Sequence, residues 1–427
     1  MNSDYCNFAD DNENCYLLTS ANRNRDCYYG FLSVDNRSIV DTLWCTASEL
    51  LYECCDCRGC YNVHHLQNCE DCRDSAFLRD CRGCSRCFLC IGLRRKENYI
   101  LNRPCTKEEV DNFIASLSGS HQAHQRALQH FDALLQSHPI RRAVNAVSCE
   151  DVTGDNLFQC RSVHLGFDVF ESRDCANLHD GLKAIDCQDI CFFDQTELCY
   201  ESTSLMGHGY RFTMFCRDSS DLFYCDNCHG CRDCFGCVGL RKKQYCILNR
   251  QYTPEAYECL AAEIVAHMRA TREWGEFFST ECSPFAYNDT LAQEIFPLGA
   301  EEATKQGWAW RFGEEEVPKV SKIIPAEKLP DRIDDIPDDI VNWAIECEAT
   351  KRPFRIIKQE LEFFRRMRLP VTHFHPDERH KRRMALRNPR HLWSRKCQKC
   401  GKGIETTYAP ERPEVVYCEE CYLKEVY

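Results

Sequence analysis

The chain has 427 residues, a formal net charge of −13 and 35 cysteines, which inflate its 44% hydrophobic content and leave the aliphatic core thinner than that figure implies. The length allows about three domains, and the odd number of thiols argues against a closed disulfide framework. No apolar run is long enough to span a bilayer, and the acidic opening MNSDYCNFADDNENCYLL is not a secretory signal, so the expected setting is the cytoplasm, where thiols stay free or bind metal.

Residues 1–103 and 141–250 read as two copies of one cysteine-rich unit. The segment 81–103, CRGCSRCFLCIGLRRKENYILNR, returns at 228–250 as CHGCRDCFGCVGLRKKQYCILNR, with 14 of 23 positions identical. Within the copies the cysteines keep step. Cys45, Cys57, Cys69 and Cys81 fall twelve residues apart, as do Cys60, Cys72 and Cys84, then Cys175, Cys187 and Cys199, then Cys225 and Cys237. So short a fixed step predicts one small unit stacked many times. Asp, Asn, Ser and Gly fill the gaps and favour tight turns, and no 3.6-residue stripe persists. The expected fold is mainly β with helices. It consists of duplicated, short-coil, parallel β-solenoid-like cysteine-rich repeats, with Cys and aromatics stacking inward, each followed by a helix, and a C-terminal zinc ribbon. An irregular region clamped by several zinc ions is the alternative.

Inside the copies, Cys81, Cys84, Cys87 and Cys90 step by three, and so do Cys228, Cys231, Cys234 and Cys237. Three readings stay open for these runs: zinc ligands, an iron–sulfur or thiol redox centre, and a stack of buried, metal-free thiols. Helical segments follow each copy, at 104–140 and 251–280. Thr106 and Thr253 are placed as N-caps, and Pro254 suits the first helical position.

Residues 281–345, rich in Pro and Asp, read as an extended connector. The stretch 353–369, PFRIIKQELEFFRRMRL, predicts an amphipathic helix with Phe354, Ile357, Leu361 and Phe364 on one face. Within 346–396, Cys347-x2-Thr350 and His375-x2-Glu378 outline a ribbon with two ligands replaced. Cys347 and His375 are weak metal candidates there. Residues 351–402 carry 17 Lys/Arg against four acids, residues 403–427 two against six, so the first 350 residues hold −22. The arm before the ribbon packs Arg379, Lys381, Arg382, Arg383, Arg387, Arg390, Trp393 and Lys396. It is a candidate surface for RNA, DNA or another protein, or else it docks on the chain's own acidic body.

In the last segment, 397–427, Cys397-x2-Cys400 and Cys418-x2-Cys421 stand 17 residues apart. Two such knuckles bring four thiolates to one tetrahedral Zn2+. TTYAPERPEVVY between them predicts a hairpin. All four positions are filled by protein, so the zinc is expected to be structural rather than catalytic.

Taken together, NCYL and DCYYG, the CxxCxxCxxC-xGLRxK…ILNR block, SPFAYN, and the closing RNPRHLW-x-RKCQKCGKGIETTYAPERPEVVYCEECY resemble a family of cysteine-rich bacterial zinc-ribbon proteins over nearly the whole chain. Members of that family sometimes carry a CaiB/BaiF CoA-transferase label, which no residue here supports. The resemblance implies no activity. It does imply a further zinc-binding region ahead of the NSDYCN-like text, so a truncated start is expected. The resulting functional expectation is a zinc-binding cytoplasmic scaffold or interaction protein, with nucleic-acid binding through the basic arm. A redox protein using the stepped CxxC runs is the alternative. No Ser/His/Asp order, phosphate loop or dinucleotide fingerprint points to other chemistry.

Overall fold

The computed structural model describes residues 2–313 and 318–426. Residues 314–317, part of the expected connector, lie outside the described residues. The chain forms two compact units, one of Met1–Pro139, Gly313–Asn388 and Leu423–Tyr427, the other of Ile140–Phe312 and Pro389–Tyr422.

The protein is mainly β, and each unit is built on a ten-stranded sheet whose strands follow one another in chain order. The first runs from Asn7–Asp10 to Arg103–Pro104, the second from Ala146–Val147 to Arg250–Gln251. Neighbouring strands are parallel throughout, except for a closing antiparallel turn at the end of each sheet. Their partners sit twelve residues apart, as in Cys45↔Cys57, His64↔Ala76 and Cys234↔Cys246. The offset drops to eleven at Glu150↔Arg161 and Met206↔Arg217. Parallel strands normally need a crossover of a dozen or more residues, usually a helix. An offset of twelve leaves no room for one, so the chain must turn within the paired segments themselves.

It turns at every third residue. From Asn2 to Leu101 each third residue has a left-handed φ, between 48° and 69°. The second sheet repeats the pattern from Asn156 to Ser204 and again from Phe212 to Leu248. Only Gly, Asn and Asp enter this region readily, since a Cβ otherwise crowds the backbone. Accordingly, 16 of the 34 such positions in the first sheet are Asp, Asn or Gly.

The residue after each bend points inward. Cys15, Leu18, Ala21, Cys27, Ile39, Cys45 and Leu51 are all multiples of three in number, and all belong to one buried core. Cysteine suits this position because it is small and apolar and its thiol can pair with backbone. The Cys72 thiol donates to the Cys81 carbonyl at 3.4 Å and the Cys237 thiol to the Cys246 carbonyl at 3.4 Å, nine residues on in both cases. In the earliest turns asparagine takes the same place. Asn24 donates to the Ser33 carbonyl, again nine residues on, at 2.8 Å, and its side-chain oxygen accepts from the Asn36 N–H, twelve on, at 3.1 Å. An unpaired buried carbonyl is costly, so a column of small donors stabilises the turns.

The aromatics that follow the cysteines do not stack inward, as the sequence suggests. Phe88, next to the buried Cys87, joins Phe77, Leu89, Val110, Leu117 and Phe131 in a second core outside the sheet. Three residues per turn segment leave one inward position, so the neighbour of an inward cysteine must face elsewhere. That outer core is closed by two helices, Lys107–Leu117 and His121–Ser137, where the sequence indicated one helical segment. Gly119, at φ 70°, separates them. Thr106 and Glu109 form a full capping box on the first, and Thr253 caps Pro254–Thr271 after the second sheet.

The helix expected over 353–369 occupies only Lys358–Met367. Pro353–Phe354 instead forms a short antiparallel pair with Ala344–Glu346. Leu361 and Phe364 remain on the buried face, joined by Glu360 and Phe363. Much of the region read as a connector is packed rather than draped, with Ala326, Ile333, Ile336 and Ile340 buried against Tyr28, Tyr29 and Tyr52.

Candidate metal centre

The sulfurs of Cys397, Cys400, Cys418 and Cys421 converge, each ligand atom within 4.8 Å of the others. Cys397 follows directly on the strand Trp393–Lys396, which pairs antiparallel with Gly403–Thr406. The turn between them is a knuckle: the Cys397 N–H donates to the Lys402 carbonyl and the Gly401 N–H to the Cys397 carbonyl, both at 2.8 Å. Gly401 takes φ 78°, which a side chain would resist. The second knuckle enters from Val415–Tyr417 and runs into the helix Glu419–Val426, whose third residue is Cys421.

The hairpin expected between the knuckles does not form. Val415–Tyr417 pairs parallel with Ile140–Arg142. Thr406 donates to the Ala143 carbonyl at 2.7 Å and Thr407 to Asp155 at 2.7 Å. The four-cysteine unit is thus joined by backbone pairing to the residues that lead into the second sheet, a tie between segments some 270 positions apart that no local pattern announces.

The donor set fits a metal ion. Cys400 and Cys418 sulfurs stand 3.7 Å apart, and the Cys418 N–H donates to the Cys397 sulfur at 3.3 Å. Burial pushes the Cys397 thiol up, but the N–H groups of Cys418, Cys400 and Lys399 outweigh it and hold it down at about 6. Four soft sulfur donors gathered within 4.8 Å of one another are the kind of set that suits a soft or borderline metal ion such as Zn2+.

The degenerate ribbon keeps the fold of a knuckle without its ligand set. The Cys347 N–H donates to the Arg352 carbonyl and the Lys351 N–H to the Cys347 carbonyl, both at 2.9 Å, and Lys351 is left-handed at φ 60°. These are the bonds of the Cys397 knuckle. Burial raises the Cys347 thiol, and N–H groups of His375, Thr350 and Ala349 together with the Thr350 hydroxyl more than reverse it. The His375 ring accepts from the Asp377 N–H at 3.1 Å and caps the helix Pro376–Met384. His373 bonds Glu348 at 3.0 Å. Hydrogen bonds therefore occupy the positions that ligands would take.

The stepped cysteines lie in the sheets' cores. Cys81, Cys84, Cys87 and Cys90 are buried in the first, and Cys228, Cys231, Cys234 and Cys237 in the second. Steps of three place them on successive inward positions instead of around one point. Among the described residues, only the terminal quartet gathers three or more ligand atoms. Burial pushes Cys55 well above the ordinary thiol range and Cys90 up to about 12, so both are neutral thiols at pH 7.

Half of the basic arm turns inward. Arg379 and Arg383 are each 1% exposed. Arg379 pairs with Asp41 and, at 2.8 Å, with Glu360, and lies over the Tyr29 ring. Arg383 stands 3.1 Å from Asp41 and 3.2 Å from Glu53, and Arg387 3.3 Å from Asp56. In the other unit Arg390 meets Asp168 at 3.1 Å and also Asp180. These acids follow the same rule as the cysteines. Asp41 and Glu53 are left-handed positions twelve apart, and so are Asp168 and Asp180. Acidic residues at the bend thus also form columns that the arginines read. Lys381, Arg382 and Lys396 stay exposed, with Arg382 bonded to Glu378 at 2.9 Å, and Trp393 is half-buried beside His391.

Sequence reasoning read the three-residue step in the cysteine runs but missed the left-handed bend that sets it and the acidic columns. The signal was present as repeated Asx-Cys and Gly-Cys pairs, such as Asp26-Cys27, Asp71-Cys72, Gly83-Cys84 and Asp186-Cys187. Each pairs a bend residue with an inward one. No helix of the described residues is long and apolar enough to cross a membrane. No protein-family model matches the chain, and no curated protein matches it.

Proposed function

We propose that this protein is a non-catalytic scaffold of the cysteine-rich zinc-ribbon kind that its sequence resembles. Each ten-stranded sheet is read as a four-cornered β-solenoid, twelve residues to the coil and three to the side, the second a duplicate of the first. The terminal quartet holds one structural Zn2+. One observation carries the reading: the chemistry-bearing side chains face inward or close on one another. Thiols file through the cores, arginines meet acids of their own unit, and the one convergent ligand set among the described residues is filled by protein.

The partner that fits is another protein. A polyanion would find only Lys381, Arg382 and Lys396 of the arm's cations exposed. Nucleic-acid affinity rises with each phosphate neutralised, and three exposed cations give a shallow salt slope. Elemental analysis of the purified chain tests the scaffold reading, with one zinc and no iron per chain expected. Iron with visible absorbance would replace it with the redox alternative. Binding to single-stranded RNA or DNA that weakens steeply with salt, and is lost in K381A/R382A/K396A, would restore the nucleic-acid role.

A further inference from the structure

The inward thiols form a connected ladder. The residues that follow Cys57, Cys69 and Cys81 pair in register as Arg58↔Glu70 and Glu70↔Arg82, and those that follow Cys60, Cys72 and Cys84 pair as Tyr61↔Arg73 and Arg73↔Ser85, so each row of three thiols stacks at a strand spacing of about 4.8 Å. Cys57, Cys60, Cys69, Cys72, Cys81 and Cys84 thus make three rungs and two rails, each thiol buried. A shorter ladder recurs in the second unit, where the residues that follow Cys225 and Cys237 pair as Asp226↔Val238 and those that follow Cys216 and Cys228 pair as Arg217↔His229. Among the described residues, no three of these sulfurs lie within 4.8 Å of one another. That excludes a closed tetrahedral zinc site without rebuilding the core, because tetrahedral coordination needs four sulfurs about one point.

We propose that the ladder is a binding site for soft monovalent d10 cations, Cu(I) above all, each held between two neighbouring sulfurs. Soft thiolates select Cu(I), and a metal–sulfur bond of about 2.3 Å puts two sulfurs on opposite sides of one ion about 4.6 Å apart, the scale of a thiol–thiol contact. The charge balance fits a dry interior. One S–H bond breaks and one S–Cu bond forms, the second sulfur donates a lone pair, and one proton leaves for each Cu(I) that enters. The core gains no net charge and no electron changes hands. A divalent ion would have to expel two protons from the same pair, and harder ions lack the affinity for sulfur to offset burial. This site goes beyond the scaffold reading and stays distinct from the terminal quartet.

The test uses the full chain, reduced, anaerobic and saturated with zinc so that the tail is filled. Cu(I) is added as its acetonitrile complex, the protein is desalted, and copper and zinc are counted while the ultraviolet sulfur-to-copper band is recorded. Roughly four or more copper ions per chain are expected, with zinc retained at one and the β signal in circular dichroism unchanged. C69S/C72S, which keeps small hydrogen-bonding side chains inward, is expected to lower the copper count by about a third. C259S/C282S, which removes two exposed thiols, leaves it unchanged. Three results would each overturn the proposal: copper bound only in exchange for zinc, a copper count that falls with C259S/C282S but not with C69S/C72S, or loading that proceeds only as the β signal is lost. If C69S/C72S does not fold, the wild-type zinc and copper counts still decide.

Discussion

The spacing Cys-x2-Cys occurs in both parts of this protein, at Cys69–Cys72 in the first sheet and at Cys397–Cys400 in the tail, with opposite consequences. In the sheet, the residue before the second cysteine, Asp71, is left-handed at φ 52°. The bend turns each thiol onto its own inward position, where Cys72 donates to a carbonyl at 3.4 Å. In the tail, left-handed Gly401 follows the second cysteine instead, and the backbone closes a knuckle whose N–H groups face sulfur. Moving one left-handed residue by two positions separates a row of inward, buried thiols from a convergent four-cysteine set. A Cys-x2-Cys pair is thus a spacing, and the backbone around it decides the chemistry.

Removing metal is the strongest way to separate the two regions. Structural zinc contributes on the order of 10–16 kcal/mol of apparent binding energy. Chelation should therefore abolish hydrogen-exchange protection of Val415–Tyr417 and its partner Ile140–Arg142, while the amides of the strand Arg73–Arg79 keep theirs. Equal loss in both would mean that the sheet thiols also hold metal as isolated.

Alkaline pH should act the other way. Cys90 is raised to about 12 from an ordinary 9.0, chiefly by burial. The folded state therefore holds a proton that the unfolded chain loses, so this group's contribution is full below pH 9 and disappears as pH climbs through 12. A loss on the order of 3–4 kcal/mol is expected over that window, read by urea unfolding at stepped pH. A flat profile between pH 9 and 11 would mean that the inward thiols are not desolvated.

Substitutions at the bend come next. Asp71→Val puts a β-branched side chain at a left-handed position and should cost about 1–2 kcal/mol, whereas Asp71→Gly should be neutral or better. If valine is tolerated, the three-residue bend is not what sets the inward row. Smallest is Cys72→Ser, which retains a donor for the Cys81 carbonyl and should change stability by about 1 kcal/mol or less. Cys400→Ser, by contrast, should strip most of the metal, since it replaces a soft ligand by a hard one. Parallel urea melts and zinc counts on the two variants read the difference directly.

Much of this was legible in the residues. The cysteine step of twelve matched the strand offset, because parallel in-register pairing places like residues at a fixed spacing. The Thr106 and Thr253 caps were local and therefore readable. The terminal quartet was readable because two knuckles need only their own spacing. Asx-Cys and Gly-Cys pairs carried the bend as well, but a three-residue side fits neither the two-residue period of a flat strand nor the 3.6 of a helix, so neither template detects it.

What the chain alone determined, then, is whatever is set within a dozen residues: the twelve-residue strand offset, the bends, the helix starts and the terminal four-cysteine group. Tertiary structure decided where the charges go and what the tail pairs with. Arg379 and Arg383 look like a polyanion surface until Asp41, Glu53 and Glu360, from distant stretches of chain, bury them. Val415–Tyr417 looks like half of a hairpin until Ile140–Arg142 takes it as a parallel neighbour. Ion pairs and edge pairing are satisfied by any complementary partner in reach, and which partner is in reach is fixed only once the whole chain has packed.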